Sequence, residues 1–291
     1  MVDHLLRALS RDGSVRVCVA ETTLLVEEIR ARQQSDPTAT VAIGRLVTGA
    51  ALMGSLLKGP QRLALTVEGN GPLQRLLAEA DAAGRVRASL KQPVAGLPPR
   101  QGRYDVAGAV GRAGFLHVVK DLGLKEPYRG MVQLQSSEIA ADLAYYFTAS
   151  EQTPSSLGLG VELDDAGRVA VAGGFLLQLL PQADPELAGR LEARIAGLSP
   201  TTRLLAGGGP EQVLDRLLAD IDYRLLAETP LQFHCPCSQE QSRRLLALLG
   251  RDDLARLHDE QETVVVTCEF CRQDYGFDRS ALQEIMANLP E

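Results

Sequence analysis

At 291 residues with 45% hydrophobic side chains, the chain has enough apolar material for one substantial core and a small second lobe, which argues for a globular protein rather than a disordered one. Its 37 acidic against 30 basic residues leave a net charge of -7, which argues against a nucleic-acid partner. No run of about 18 apolar residues is present and Met1-Val2-Asp3-His4 lacks signal-peptide character, so no membrane partner is expected and the cytoplasm, where thiols stay reduced, is the expected compartment.

Along the chain, Ser14 to Ala20 alternates with Val15, Val17 and Val19 on one face, so a half-buried strand is expected there with Cys18 on the opposite face. Nothing nearby offers Cys18 a second ligand or an activating base, so it reads as a small structural residue. Helical spacing follows over Thr22 to Gln34 and Pro37 to Leu57. The second segment is nearly uncharged apart from Arg45 and the adjoining Lys58, which predicts a buried helix. Strand-like runs recur at Leu63 to Glu68, Arg85 to Leu90, Phe115 to Lys120, Met131 to Gln135, Leu157 to Leu163 and Arg168 to Ala172. Helices are expected over Pro72 to Ala83 and Glu138 to Glu151. The expected fold class is therefore α+β, a mixed sheet domain with a buried helix over residues 1–181.

Beyond Pro181 the texture changes. Asp184 to Gly197 and Pro210 to Arg224 have helical spacing, broken by Leu198-Ser199-Pro200 and by Gly207-Gly208-Gly209-Pro210. Leu187, Leu191, Leu198, Leu214, Leu217, Leu218, Leu225 and Leu226 form an apolar stripe that needs a partner surface, while the glycines lower the cost of detachment. Residues 182–233 thus read as a metastable helical linker, the alternative being ordinary helices docked permanently on the main domain.

The last segment, 234–291, carries Cys235-Pro236-Cys237 and Cys268-Glu269-Phe270-Cys271. Two short loops each presenting two thiolates supply the four soft donors, at about 2.3 Å, that tetrahedral zinc requires. On residue chemistry alone three readings stay open: a static structural zinc, a redox-active zinc, and an iron-sulfur or dithiol site. A catalytic zinc is disfavoured because four thiolates leave no position for water. His234 is a substitute ligand in principle, but four cysteines are already at hand. Arg243, Arg244 and Arg272 add positive charge in the neighbourhood.

Several familiar enzyme signals are absent, and the near-misses are weak. Gly108 to Gly114 has glycines near phosphate-loop spacing but no Lys-Ser/Thr after them, and Glu27-Glu28, Asp164-Asp165 and Asp252-Asp253 read as solvated helix or turn residues. The competing classes are a zinc-stabilised nucleic-acid binder, which the acidic balance disfavours, and a thiol oxidoreductase, whose turnover a four-thiolate zinc would block.

A set of segments carries a resemblance over nearly the whole chain: Val15-Arg16-Val17 before Thr22-Thr23, Ile43-Gly44-Arg45-Leu46, Gly69-Asn70-Gly71-Pro72-Leu73, Tyr128-Arg129-Gly130-Met131-Val132, Tyr146-Phe147 leading to Ser150-Glu151-Gln152-Thr153-Pro154, and Ala172-Gly173-Gly174 through Gln178 to Pro181. With CxC followed by CxxC, Ser238 after Cys237 and Tyr275 after Cys271, the chain resembles the thirty-three-kilodalton heat-shock protein family of redox-regulated holdase chaperones. The resemblance implies one zinc ion held by Cys235, Cys237, Cys268 and Cys271 in a reduced, inactive form. Oxidation with unfolding stress would eject zinc and pair Cys235 with Cys237 and Cys268 with Cys271. The lobe and linker would then unfold and expose a surface for unfolded clients, without ATP. It further implies homodimerisation on activation and hand-off of clients to ATP-dependent refolding chaperones. Candidate client-binding residues are the apolar clusters Tyr145, Tyr146, Phe147 and Phe175, Leu176, Leu177, together with the linker leucines.

Overall fold

The structure, a computed structural model, describes residues 2–99 and 102–289. The chain divides into two compact units, Met1–His234 and Cys235–Glu291. In the first, β1 (His4–Ser10), β2 (Val15–Glu21), α1 (Thr23–Gln33), α2 (Pro37–Gly54), β3 (Arg62–Gly69), β4 (Arg75–Asp81), β5 (Arg85–Leu90), α3 (Val106–Val110), β6 (Gly114–Asp121) and β7 (Tyr128–Gln133) come in order. They are followed by α4 (Ala140–Ser150), β8 (Ser155–Leu163), β9 (Val169–Leu179), α5 (Pro185–Ala196), α6 (Thr201–Leu218), β10 (Tyr223–Pro230) and β11 (Gln232–Phe233). Two sheets form, ordered β10-β1-β2-β9-β8 and β11-β5-β4-β3-β6-β7. Every pairing in them is antiparallel except β11 with β5.

Helix α2 is the pillar between the sheets. Asp36 caps it by accepting the Ala39 amide, Pro37 opens its first turn, and every residue but Pro37 and Arg45 is buried. It packs on β3, β4 and β5 of one sheet and on β2, β8 and β9 of the other, as its near absence of charge predicts. Helix α1 has no capping side chain of its own at Thr22. The carboxylate of Asp3, some twenty residues earlier, supplies that function by accepting the amides of Leu24 at 3.1 Å and Leu25 at 2.7 Å.

Strand β2 is buried on both faces rather than one. Cys18 and Ala20 join Leu5, Leu176 and the α2 core. Val15, Val17 and Val19 join Leu6, Ala8, Phe175 and Leu177 in a second cluster, whose other half is Leu191 of α5 with Leu205, Val213, Leu214, Leu217 and Leu218 of α6. Alternation alone marks one apolar face; the small residues Cys18 and Ala20 conceal the other. The β2–β9 register brings Gly173 opposite Glu21, and a Cβ there would sit 2.4 Å from both the Ala20 carbonyl and Leu205, so the missing side chain admits α6. Helix α6 is itself broken at Gly208 and Gly209, the latter at φ +69°, just before Pro210.

Two expectations are corrected, and one strand is added. Residues 72–83 form no helix: β4 buries Leu76, Ala78 and Ala80 with the period of two that belongs to a strand, which the helix-favouring Leu and Ala composition obscures. The N-terminal strand β1 passes without a clear alternation signal. The segment 182–233 is not wholly helical, because Tyr223–Pro230 pairs with β1 as an edge strand and leaves Leu225 and Leu226 exposed rather than in the apolar stripe.

Burial pushes the Asp3 carboxyl from 3.8 up to about 6, against the opposing pull of the Leu25 and Leu24 amides. The unfolded chain ionises this group first, so the stability tied to its protonated form is complete below about pH 3.8 and is lost as pH rises through about 6. Relative to Asp3→Asn, the wild type is expected to lose at most about 3 kcal/mol of unfolding free energy across that window. Urea melts of both proteins at several pH values check this; a difference that stays constant with pH refutes it.

Candidate metal centre

The second unit contains α7 (Gln239–Ala247), α8 (Arg251–Glu260), β12 (Thr263–Thr267), β13 (Asp274–Asp278) and α9 (Arg279–Ala287), with β12 and β13 forming an antiparallel hairpin. Its core is small: Leu246, Leu254, Val264, Phe277, Leu282 and Ile285. Cys235 and Cys237 precede α7, whose first turn is capped by Ser238 accepting the Gln241 amide, so the helix starts immediately after the second thiol. Cys268 and Cys271 occupy the β12–β13 turn. That turn is closed by the Cys268 amide on the Gln273 carbonyl at 2.9 Å and the Arg272 amide on the Cys268 carbonyl at 3.0 Å, with Arg272 at φ +59°.

The four Sγ atoms lie within 4.8 Å of one another. Cys235 and Cys268 are 3.7 Å apart, Cys237 and Cys271 3.2 Å. Four sulfurs at about 2.3 Å from a tetrahedral ion are about 3.8 Å apart, so donor type and spacing both fit a closed tetrahedral metal site. Among the described residues this is the single group of three or more His, Cys, Asp or Glu side chains that can hold a metal ion. His234 is not a member; its amide donates to the Val86 carbonyl at 3.0 Å.

Tyr275 of β13 places its hydroxyl 3.2 Å from Cys237 Sγ. Desolvation would raise the Cys237 thiol, but hydrogen bonds from Tyr275 and the neighbouring cysteines outweigh it and bring the group down to about 7. Desolvation and the adjoining sulfurs push Cys271 up to about 12 in spite of the Gln273 amide. Cys18 is a different case. Fully buried in the main core, with Ser55 donating toward its sulfur at 3.5 Å, its thiol is pushed up by burial and is inert. The arginines expected to charge the site are partly offset, since Arg243 pairs with Glu284 and Arg244 with Glu240.

The apolar candidates separate by depth. Tyr146, Phe147 and Leu176 are sealed in the main core and Tyr145 is exposed, while Phe175 and Leu177 lie directly beneath α5 and α6. Leu187, Leu191, Leu198, Leu214, Leu217 and Leu218 all belong to that covering layer. The glycines at 108–114 serve packing: the Gly71 amide bonds the Val110 carbonyl at 2.9 Å, and Gly111 meets Gly71 backbone to backbone. Glu27 and Glu28 pair with Arg30 and Arg32 within α1, and Asp253 with Arg256 within α8. The role of Tyr275 as a sulfur partner is not readable from spacing; its place four residues after Cys271 is the only signal the sequence holds.

Comparison with known proteins bears on what this arrangement does. The family model described as Hsp33 protein matches residues 3–278. A protein of Syntrophotalea carbinolica named 33 kDa chaperonin is 53% identical, over 99% of this chain and 100% of its own. One of the same name from Geobacter sulfurreducens is 47% identical, over 99% and 96%. The crystal structure of the Thermotoga maritima 33 kDa chaperonin superposes with a TM-score of 0.93 at 34% identity, covering 99% of this chain and 98% of that one. An α+β body carrying a four-cysteine lobe, with these relatives, places the protein among the non-enzymatic chaperones, which bind unfolded client proteins. The chain belongs to the Hsp33 family. Among the described residues no helix is long and apolar enough to cross a membrane.

In metal-free, reduced protein, alkylation of Cys237 is expected to rise with pH around about 7 and then level off, whereas Cys18 stays unmodified until the chain unfolds. Peptide mapping after timed iodoacetamide treatment measures both. Rapid labelling of Cys18 in the folded protein contradicts the assignment.

Proposed function

We propose that this chain is a redox-regulated, ATP-independent holdase, switched on by oxidation and zinc release, that protects unfolding or oxidatively damaged proteins from aggregation. The observation that carries the reading is the four-thiol cluster of Cys235, Cys237, Cys268 and Cys271. In the division of labour we assign, residues 1–181 are the chaperone body, 182–233 a stress-sensing linker and 234–291 the redox switch.

When bound, zinc supplies the cross-link between the two cysteine loops and contributes about 10–16 kcal/mol to folding, by analogy with small zinc modules. The thiolates do the switching. Two of them give two electrons to one peroxide, which takes up two protons and leaves as two waters while one S–S bond forms. Sulfurs joined in this way are no longer charged donors, so the loops lose their common ligand set. Pairing within each loop, Cys235 with Cys237 and Cys268 with Cys271, is favoured once the lobe loosens, because one or two intervening residues keep the partners at high local concentration. Pairing across the loops would close rings of over thirty residues.

The second step belongs to α5 and α6. Their apolar stripe covers Leu6, Val15, Val17, Val19, Phe175 and Leu177, a continuous face of β1, β2 and β9. The chain leaves this layer through β10 and β11 and runs directly into Cys235, so melting of the lobe removes order from the far end of the segment. The Gly208-Gly209 break and the uncapped start of α6 at Pro200 weaken its hold further. With α5 and α6 lifted, Phe175 and Leu177 become the centre of a client surface that binds by area rather than by pattern. The same bared face accounts for dimerisation on activation. A reducing cytoplasm resets the thiols and permits hand-off of clients to ATP-dependent refolding chaperones.

Zinc release, loss of four thiols and suppression of client aggregation are expected to rise together as hypochlorous acid is titrated into the reduced protein. Full activity with zinc still bound, or zinc loss without activity, sinks the proposal. Leu217→Ala, which removes a fully buried contact of α6, is expected to loosen that helix by about 2–5 kcal/mol. Activity should then appear at a lower oxidant dose, with earlier proteolytic cleavage in 201–218. An unchanged dose and cleavage pattern would argue that α6 is not the cover.

A further inference from the structure

We infer that Tyr275 is a positioning residue of the redox switch: its hydroxyl donates to the Cys237 sulfur, holds the CxC loop against the β12–β13 hairpin, and restrains oxidation of that sulfur. The inference rests on the zinc reading above in one respect, that Cys237 is held as a thiolate.

The geometry is specific. The Cys237 Sγ to Tyr275 Oη distance of 3.2 Å is within hydrogen-bond range for sulfur. A thiolate has no proton to give, so the phenol must be the donor. Tyr275 is fixed from two directions: its backbone pairs with Val266 across the hairpin, and its ring packs against the core of the small unit. The two cysteine loops are therefore treated differently. The Cys271 sulfur receives a backbone amide, that of Gln273, from within its own turn. Cys237 receives a side chain from the opposite loop's hairpin, 38 residues away in sequence. The first contact comes with the turn; the second is a separate choice of residue and ties together parts of the chain that the metal otherwise has to join.

Two effects follow from an O–H donor on a thiolate. It orients the ligand, as outer hydrogen bonds to metal ligands do. It also draws electron density from the sulfur, so attack on an oxidant requires the bond to be stretched or broken first, and nucleophilicity falls. Both effects make the reduced state more persistent, and both are removable by deleting one oxygen without touching a ligand.

The test uses the full-length protein with cobalt(II) and zinc as probes. Tyr275→Phe keeps the ring and removes the donor. Relative to wild type it is expected to lose about tenfold or more in metal affinity. Its thiolate-to-cobalt charge-transfer band should move to lower energy, and zinc should leave severalfold faster under peroxide. Thr267→Val serves as the control for hairpin damage, because it removes the 2.6 Å bond from Thr267 to Asp274 while leaving the phenol in place; its cobalt band should match wild type. If Tyr275→Phe fails to fold, 3-fluorotyrosine at position 275, a stronger donor that keeps its proton on the acid side of neutral pH, decides the question there: slower zinc release supports the inference, and unchanged or faster release overturns it. A Tyr275→Phe protein with wild-type band, affinity and release rate overturns this inference alone. A wild-type protein that binds neither metal overturns the zinc reading, and this inference with it.

Discussion

Strands β2 and β9 carry apolar side chains on both faces, and a sheet of that kind must be covered twice. One cover is α2, capped by Asp36, almost free of charge and packed between two sheets. The other is α5 with α6, a layer whose second helix is broken by glycines and starts at Pro200 without a capping side chain, and which is polar on its outer side. Each buried Leu or Val in that layer contributes about 1.5–3 kcal/mol, so the layer is held by apolar contact. The body beneath this layer has a separate main core, built on α2.

The small unit stands at the other extreme. Among the described residues six buried apolar side chains make up its core, too few for a domain of this size to rest on apolar burial alone. Its two halves, the α7 approach and the hairpin turn, meet at the four sulfurs and at Tyr275. On the proposed reading, a lobe whose stability is concentrated in four oxidisable atoms responds to the state of those atoms. A larger apolar core would make the same cysteines structurally redundant, and their oxidation would be silent.

Much of this was legible in the residues. Asp36-Pro37 followed by an uncharged Ala-, Gly- and Leu-rich run marks a buried helix wherever it occurs, because no other environment suits it. CxC and CxxC in a cysteine-poor chain mark a candidate ligand set, because two short loops with two thiolates each can supply the four soft donors of a tetrahedral ion. The errors share a cause. At Arg75–Asp81 the local preference of Leu and Ala for helix was overruled by pairing with β3 and β5, and at Tyr223–Pro230 a segment read as linker was recruited by the open edge of β1. Strand pairing depends on a partner distant in sequence, and single-chain periodicity does not see that partner. Phe175-Leu176-Leu177 shows the same limit, since its alternate residues belong to different cores and only the sheet's position decides which.

What the sequence by itself determined is therefore the local chemistry: the class of the fold, the central helix, the two thiol pairs and the apolar stripe of residues 182–233 that had to rest on something. The tertiary structure decided where that stripe rests, which face of β2 and β9 it hides, and that Asp3 caps a helix begun some twenty residues later. It also decided that a tyrosine hydroxyl meets one of the four sulfurs. Donor identity and periodicity are properties of neighbours along the chain, whereas burial, edge pairing and a hydrogen bond spanning 38 residues exist only after distant segments have been brought together.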